Sequence, residues 1–429
     1  MTIIRPFKGV RPAEDLASSV AALPYDVYNR KEAKEVVAQN PLSFLKIDRA
    51  ETMFPDDTDM YSQAVYEKAR DMLAEMIADG TFIKDEQDCY YLYALTMNGR
   101  TQTGIVGCAS IDDYLNGIIR KHENTREEKE LDRIRHVDTL SAQTGPIFLA
   151  YRSVPELNRL VAQIKEMSAL YDFTSEDGIR HQVWQIADSE MIEQISHIFR
   201  NLSHIYIADG HHRAASAVKT GLKRRQEHPD YGGTEEFNYF LSVLFPAEEL
   251  RIYDYNRVIT GFNGHTFEEL LQLIGEQFDI EEAVKDTAAD STGSASCSTV
   301  CPLHPQKKGE ICMYGHGKWY RLTAHPSLYT DDPVDSLDVS VLHNVILDPV
   351  LGIKDEKTDS RIRFVGGIRG LSELVRLVDQ EKEAVAFAMY PTSMDELLTV
   401  ADAGRLMPPK STWFEPKLRS GLFIHEFER

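Results

Sequence analysis

Apolar and polar positions recur at two different intervals along this chain, and the interval decides which segments coil and which extend. Tyr61, Val65, Ala69, Met72 and Met76 stand three to four apart, on one face of a helix over residues 60–78, with Gly80 just past its end. Shorter helices are predicted over 13–22, stopped by Pro24, and over 30–39, ending before Asn40-Pro41. Tyr90 to Leu95 is aromatic and apolar, Asn98-Gly99 is a tight-turn pair, and together they predict a hairpin whose second strand is 101–110. The charged run 120–135 reads as a solvated helix and apolar 147–151 as a buried strand. Helices over 155–170 and 188–200 flank a strand at 181–185. The short apolar strand 205–208 leads through Asp209-Gly210 into a helix over 211–220, capped by Gly221. Strands follow at 239–245 and 250–254.

From about residue 261 the pattern changes. Thr266 with Glu269 and Ser393 with Glu396 are capping boxes, opening helices over 267–278 and up to 403. Helices over 337–347 and 372–379, a strand pair over 310–323, and strands at 384–389 and 421–427 complete this part. Residues 287–310 read as an excursion loop. Strands and helices alternate irregularly and no internal repeat is found, which favours an α+β class over a doubly wound sheet. The length of 429 residues fits two or three domains. The expected division is 1–110, an N-terminal region that closes over the site, then 111–260 as the core and 261–429 as a C-terminal α/β lobe.

Composition removes several classes of function. The chain is 42% hydrophobic and 27% charged, an ordinary globular balance. Its 47 basic residues face 68 acidic ones, a formal charge of -21 whose field repels polyanions, so a nucleic-acid partner is not expected. No stretch approaches the ~20 apolar residues of a membrane span. Five cysteines are sparse and odd in number, and no export signal opens the sequence; a cytoplasmic protein is expected.

The chemistry concentrates in Asp209-Gly210-His211-His212-Arg213, at a strand-to-helix junction. Helix N-terminal amides attract an anion there, Gly210 permits a left-handed turn, and Arg213 offers a bidentate fork to phosphate oxygens. His211 and His212 can donate to phosphate or move a proton. Asp209 can face a Mg2+-bound water, or simply cap the helix while the histidines pack locally. A histidine-ligated metal is disfavoured because adjacent histidines point apart. No Walker A sequence is present.

Strand-Asp-Gly-His-His-Arg-Ala-Ala resembles the signature of the ParB/sulfiredoxin-like superfamily, in the form carried by ADP- or ATP-dependent free-serine kinases. The whole-chain pattern resembles an uncharacterised bacterial family often labelled ParB-related. The resemblance covers parts of 110–250 and 384–427. It implies a ParB/sulfiredoxin-like nucleotide-binding core and a phosphotransferase that uses ATP or ADP with Mg2+. The acceptor would be the hydroxyl of free L-serine or a similar small hydroxy compound. Lys121-His122-Glu123 matches the kinases' His-Glu pair, which makes Glu123 the general base and His122 its neighbour. Ser141 falls where they have a substrate-contacting serine, and Lys410-Ser411-Thr412 matches a Pro-Lys-Thr-Thr segment that contacts the amino acid. Trp413-Phe414 departs from the kinases' Arg-His, and about 110 residues are added at the front. A ParB-like nucleotide-binding regulator acting on DNA or a protein is the alternative; a sulfiredoxin-like reductase would need a cysteine where His211 stands. Homo-oligomerisation is open.

Without the resemblance, Glu123 reads as a solvated charge in a charged run; the matched His-Glu and Ile-Phe spacing sets the general-base reading level with it. Arg5, Arg11, Tyr25, Asp26 and Arg49 are loop-framed site candidates. Tyr255-Asn256-Arg257 reads as a strand-end turn or a ligand contact. Cys297, Cys301 and His304 have permitted zinc spacing but no evident fourth ligand.

Overall fold

The computed structural model describes residues 1–125, 127–283 and 303–428. The chain is α+β and forms two compact units, one of residues 1–250 with 416–429, the other of residues 251–415. The expected boundary at 110 falls instead inside the first unit, at the last residue of one of its central strands.

The first unit is built on the predicted hairpin. Asn98 and Gly99 both take positive φ, 52° and 78°, the mirror-image turn that matches strand twist. Tyr90–Met97 and Arg100–Ser110 pair across it, with Met97 opposite Arg100. They lie within a nine-stranded mixed sheet. From one edge its order is Ile119–Arg120, Ile205–Asp209, Ile147–Tyr151, Tyr239–Pro246, Arg100–Ser110, Tyr90–Met97, Arg180–Ile186 and Tyr171–Thr174, with Ile4–Arg5 added beside Arg100–Ser110. Leu157, Ile195, Phe199, Ala214 and Val218 come from three helices and bury against this sheet. A second core joins the N-terminal helices to the end of the chain: Val20, Val37, Phe44, Val65, Met72 and Phe82 pack with Leu140 and Ile424.

Three expectations for this unit need correction. The charged run is not a solvated helix: Ile119–Arg120 is an edge strand, and the helix Glu127–Leu140 buries Glu130, Arg133 and His136 along one side. Those charges point inward because partners meet them, Lys219 for Glu130 and Asp132 for Arg133. The helix beginning at His211 runs on to Glu227, so Gly221 is interior. A Cβ there would run into the Phe237 carbonyl oxygen and lie 2.8 Å from Ile111 Cδ1, so glycine is what lets the helix approach that closely. The final strand shrinks to His425–Glu426 on Ala142–Gln143, supplemented by bridges from Ile424 to Val10 and Ser420 to Ala22.

The second unit is a six-stranded antiparallel sheet in the order Phe278–Ala283, Lys318–Ala324, Glu310–Gly315, Ala384–Met389, Tyr255–Thr260, Ile362–Gly366. Leu374 and Val378 of the helix Leu371–Asp379 bury against it. Both capping boxes form as predicted. Tyr255-Asn256-Arg257 is not a strand-end turn but the start of a central strand, and Arg257 is fully buried, 3.5 Å from Glu356. No helix among the described residues is long and apolar enough to cross a membrane.

Candidate functional site

Ile119–Arg120 and Ile205–Asp209 run parallel, Ile119 opposite Ile205 and Arg120 opposite Tyr206. Both strands therefore leave the sheet at the same end, and the segment 121–123 emerges beside Asp209-Gly210-His211. That end, where strands hand over to helices, is where α/β proteins bind anionic ligands. His122 and His211 meet there edge to face, ring centroids 4.5 Å apart. Both are buried. Burial pushes His122 down to about 4 and His211 well below its ordinary value, with His122 adding to the effect on His211. Two neutral imidazoles therefore meet at this end of the sheet. Glu123 follows His122 and is half-buried.

Gly210 makes the corner, with φ 91° and ψ 32°. It is the N-cap of the helix His211–Glu227, and no side chain caps that helix. Asp209 is therefore not the cap: its Oδ1 accepts from its own neighbour, the Gly210 amide, at 2.7 Å. Gly210 has no side chain to cap the helix, and the amides of a helix's first turn favour an anion. A Cβ on Gly210 would lie 3.1 Å from Arg213 Nε and Nη2, so the missing side chain lets the guanidinium fold back over the turn. Arg213 is held there by donating from Nη1 to the Pro146 carbonyl at 2.6 Å.

Asp209 is held ionised. Burial opposes the charge, but Lys417, Arg213 and the Gly210 amide outweigh it and keep the carboxyl well below its usual range. Lys417 Nζ lies 3.0 Å from Asp209 Oδ2. Sequence reasoning missed this lysine, which is isolated in Pro416-Lys417-Leu418-Arg419 and 208 residues from its partner. Among the described residues no three His, Cys, Asp or Glu side chains are grouped to hold a metal. Of the zinc candidates, Cys297 and Cys301 lie outside the described residues.

Other sequence candidates scatter. Ser141 is not brought to the motif: its Oγ is 3.3 Å from Arg224 Nη2, between three and four turns further along the helix that starts at His211. Arg5 stacks over Tyr239 and bonds the Thr234 carbonyl, Arg11 pairs with Asp85, and Arg49 pairs with Glu51 and donates to the Tyr25 and Tyr28 carbonyls. These three arginines serve the fold. Asp26 lines a cavity with Tyr61 and Asp132. Tyr25 faces a neighbouring pocket, lined also by Asp48, Arg133, His136, Thr144 and Arg213. Lys410, Ser411 and Thr412 belong to the second unit, where Lys410 Nζ sits 5.6 Å over the Tyr255 ring and Ser411 Oγ donates to the Pro408 carbonyl at 2.7 Å.

Comparison with known proteins adds the family. No curated protein matches the sequence. Among solved structures, a free serine kinase in complex with AMP is 13% identical at TM-score 0.33, covering 75% of this chain and 91% of its own. SbnI with a C-terminal truncation, from Staphylococcus aureus, is 11% identical at TM-score 0.38, covering 75% and 87%. A conserved hypothetical protein from Pyrococcus furiosus is 14% identical at TM-score 0.32, covering 75% and 94%. The family model described as protein of unknown function (DUF1015) matches residues 4–340, most of the chain and all of the site just described apart from Lys417, and the chain belongs to that family.

Proposed function

We propose that this protein is a small-molecule kinase that transfers a phosphoryl group from ATP or ADP to the hydroxyl of free L-serine or a closely similar compound, giving O-phosphoserine. Its first unit would serve as a ParB/sulfiredoxin-like nucleotide-binding core in a cytoplasmic enzyme. The observation that carries the reading is the parallel pairing of Ile119–Arg120 with Ile205–Asp209, which delivers the His122-Glu123 segment to an uncapped helix N-terminus flanked by Arg213.

The first-turn amides and the Nε–Nη2 edge of Arg213 hold the phosphates, and Mg2+ brought by the nucleotide would supply further charge neutralisation. Neutral His122 and His211 would stand beside the phosphates without adding charge of their own, and His212 sits in the same first turn. Glu123 takes the proton of the serine hydroxyl as its oxygen attacks the terminal phosphorus, and ADP (or AMP, when ADP is the donor) leaves. Asp209, fixed by Lys417, orients the turn and would be the motif's carboxylate beside a nucleotide-borne Mg2+.

Phosphorus NMR on protein, Mg2+ and ATP, ADP or CTP, with and without L-serine, tests this. Phosphoserine is expected from the wild type. Glu123→Ala should lower turnover by roughly 10²–10⁴-fold while nucleotide still binds. Nucleotide binding with no transfer to serine would favour a ParB-like regulator, and failure to bind any nucleotide would overturn the phosphate site itself.

A further inference from the structure

Next to the phosphate-facing helix end, the first unit holds a set of charged groups that the Asp-Gly-His-His-Arg motif does not contain. Two adjoining cavities share Tyr25, Asp48, Arg133 and His136, and the inner one also reaches Thr144 and Arg213. Asp48 is only 4% exposed. One of its oxygens accepts from Thr144 Oγ1 at 2.8 Å; no described cation is within ion-pair distance, and Arg133 acts on it only through its longer-range field. A carboxylate buried without a cation in direct contact is costly, and in a site that expense is recovered when the ligand brings the cation.

Across the cavity stands Arg133. Its Nε and Nη2 both hold Asp132 Oδ2 at 2.8 Å and its guanidinium lies 4.0 Å over the Tyr25 ring, which fixes the group at the cavity wall. His136 adds no charge: its Nε2 lies 3.2 Å from the Ile47 carbonyl, and burial beside Arg133 keeps it neutral. The inner cavity is thus lined by one anion, Asp48, and two cations, Arg133 and Arg213, with Arg213 marking the phosphate side.

We propose that this pocket binds a small zwitterionic α-amino acid, its ammonium on Asp48, its carboxylate on Arg133 and its side-chain hydroxyl turned toward Arg213. The pocket's role as the acceptor site rests on the kinase reading; amino acid binding itself does not. The polarity follows from the chemistry: a hydroxy acid such as lactate leaves Asp48 without a counter-charge, and an amino alcohol such as ethanolamine leaves Arg133 without one.

Calorimetric titration of the full chain without nucleotide is the test. L-Serine and L-alanine should bind, and L-lactate and ethanolamine should bind at least about tenfold more weakly, since one charged hydrogen bond is at stake in each. Asp48→Asn keeps the size and the acceptor for Thr144, and should weaken L-serine about tenfold or more with nucleotide affinity unchanged. Equal binding of lactate and serine by the wild type, no amino acid binding at all, or unaltered serine binding by a folded Asp48→Asn would each overturn the pocket. If Asp48→Asn does not fold, the four ligands on the wild type decide the matter alone. Serine binding without phosphoserine formation would sink the kinase reading and leave the pocket; phosphoserine formation with the serine KM unmoved in Asp48→Asn would do the reverse.

Discussion

Four histidines in the first unit are buried and held neutral for the same reason. Desolvation lowers His122 and His136 to about 4, His181 to about 3 and His211 well below its ordinary value, with Arg133 assisting at His136 and Arg419 at His181. In the unfolded chain each titrates near about 6.5. Between that value and the folded one, the unfolded state binds more protons. Stability is therefore full above about pH 6.5 and falls as pH drops toward 4, at up to about 1.4 kcal/mol per pH unit for each histidine. The melting temperature should drop steeply between pH 6.5 and 5, and His181→Gln should flatten the slope; a melting temperature level across that range would contradict the burial of these rings. Residues differ in how far the sequence discloses them. Asp209 to Arg213 could be read because five chemically active positions adjoin, whereas Lys417 and Asp48 act through partners 208 and 96 residues away and carry no local signal.

Helices and strands were legible where local chemistry decides them. Both capping boxes and the Asn98-Gly99 hairpin formed as expected because a few neighbouring residues determine each. Tertiary contacts decided the rest. The periodicity of Glu127–Leu140 is hidden because its buried side carries Glu130, Arg133 and His136, which read as solvent-facing until Lys219 and Asp132 are seen to meet them. Gly221 looked like a helix end for the same reason, since glycine in a helix interior is normally a defect. Its close approach to Phe237 and Ile111 gives an opposite expectation for a common stabilising substitution. Helix propensity favours Gly221→Ala by about 1 kcal/mol, but overpacking against a backbone oxygen costs about 1–3 kcal/mol. Chemical denaturation should show Gly221→Ala less stable than the wild type, by about 1 kcal/mol.

At the scale of the whole chain, the first unit is closed by residues that arrive last. The segment 416–429 returns after the second unit and places Lys417 on Asp209, Arg419 on Asp177, Ser420 against Ala22, Ile424 against Val10 and His425 on Gln143. It also buries Leu418, Leu422, Phe423, Ile424 and Phe427, five apolar side chains each worth about 1.5–3 kcal/mol. Their sum is comparable with the roughly 5–15 kcal/mol that holds a domain folded. The three-part division suggested by length missed this because a unit built from two distant stretches has no compositional boundary. The second unit's antiparallel sheet and its core of Val258, Val365, Leu374 and Ala386 lie wholly within 251–415. A fragment of residues 251–415 should therefore unfold cooperatively on heating. A chain ending at Glu415 should show only that transition and bind no nucleotide, because it loses the closing segment and Asp209's counter-ion together. Lys417→Met separates the two effects, since it keeps the apolar closure and removes the charge. It should leave the first unit's transition in place while letting the Asp209 pKa rise, which carbon NMR of that carboxyl would register directly.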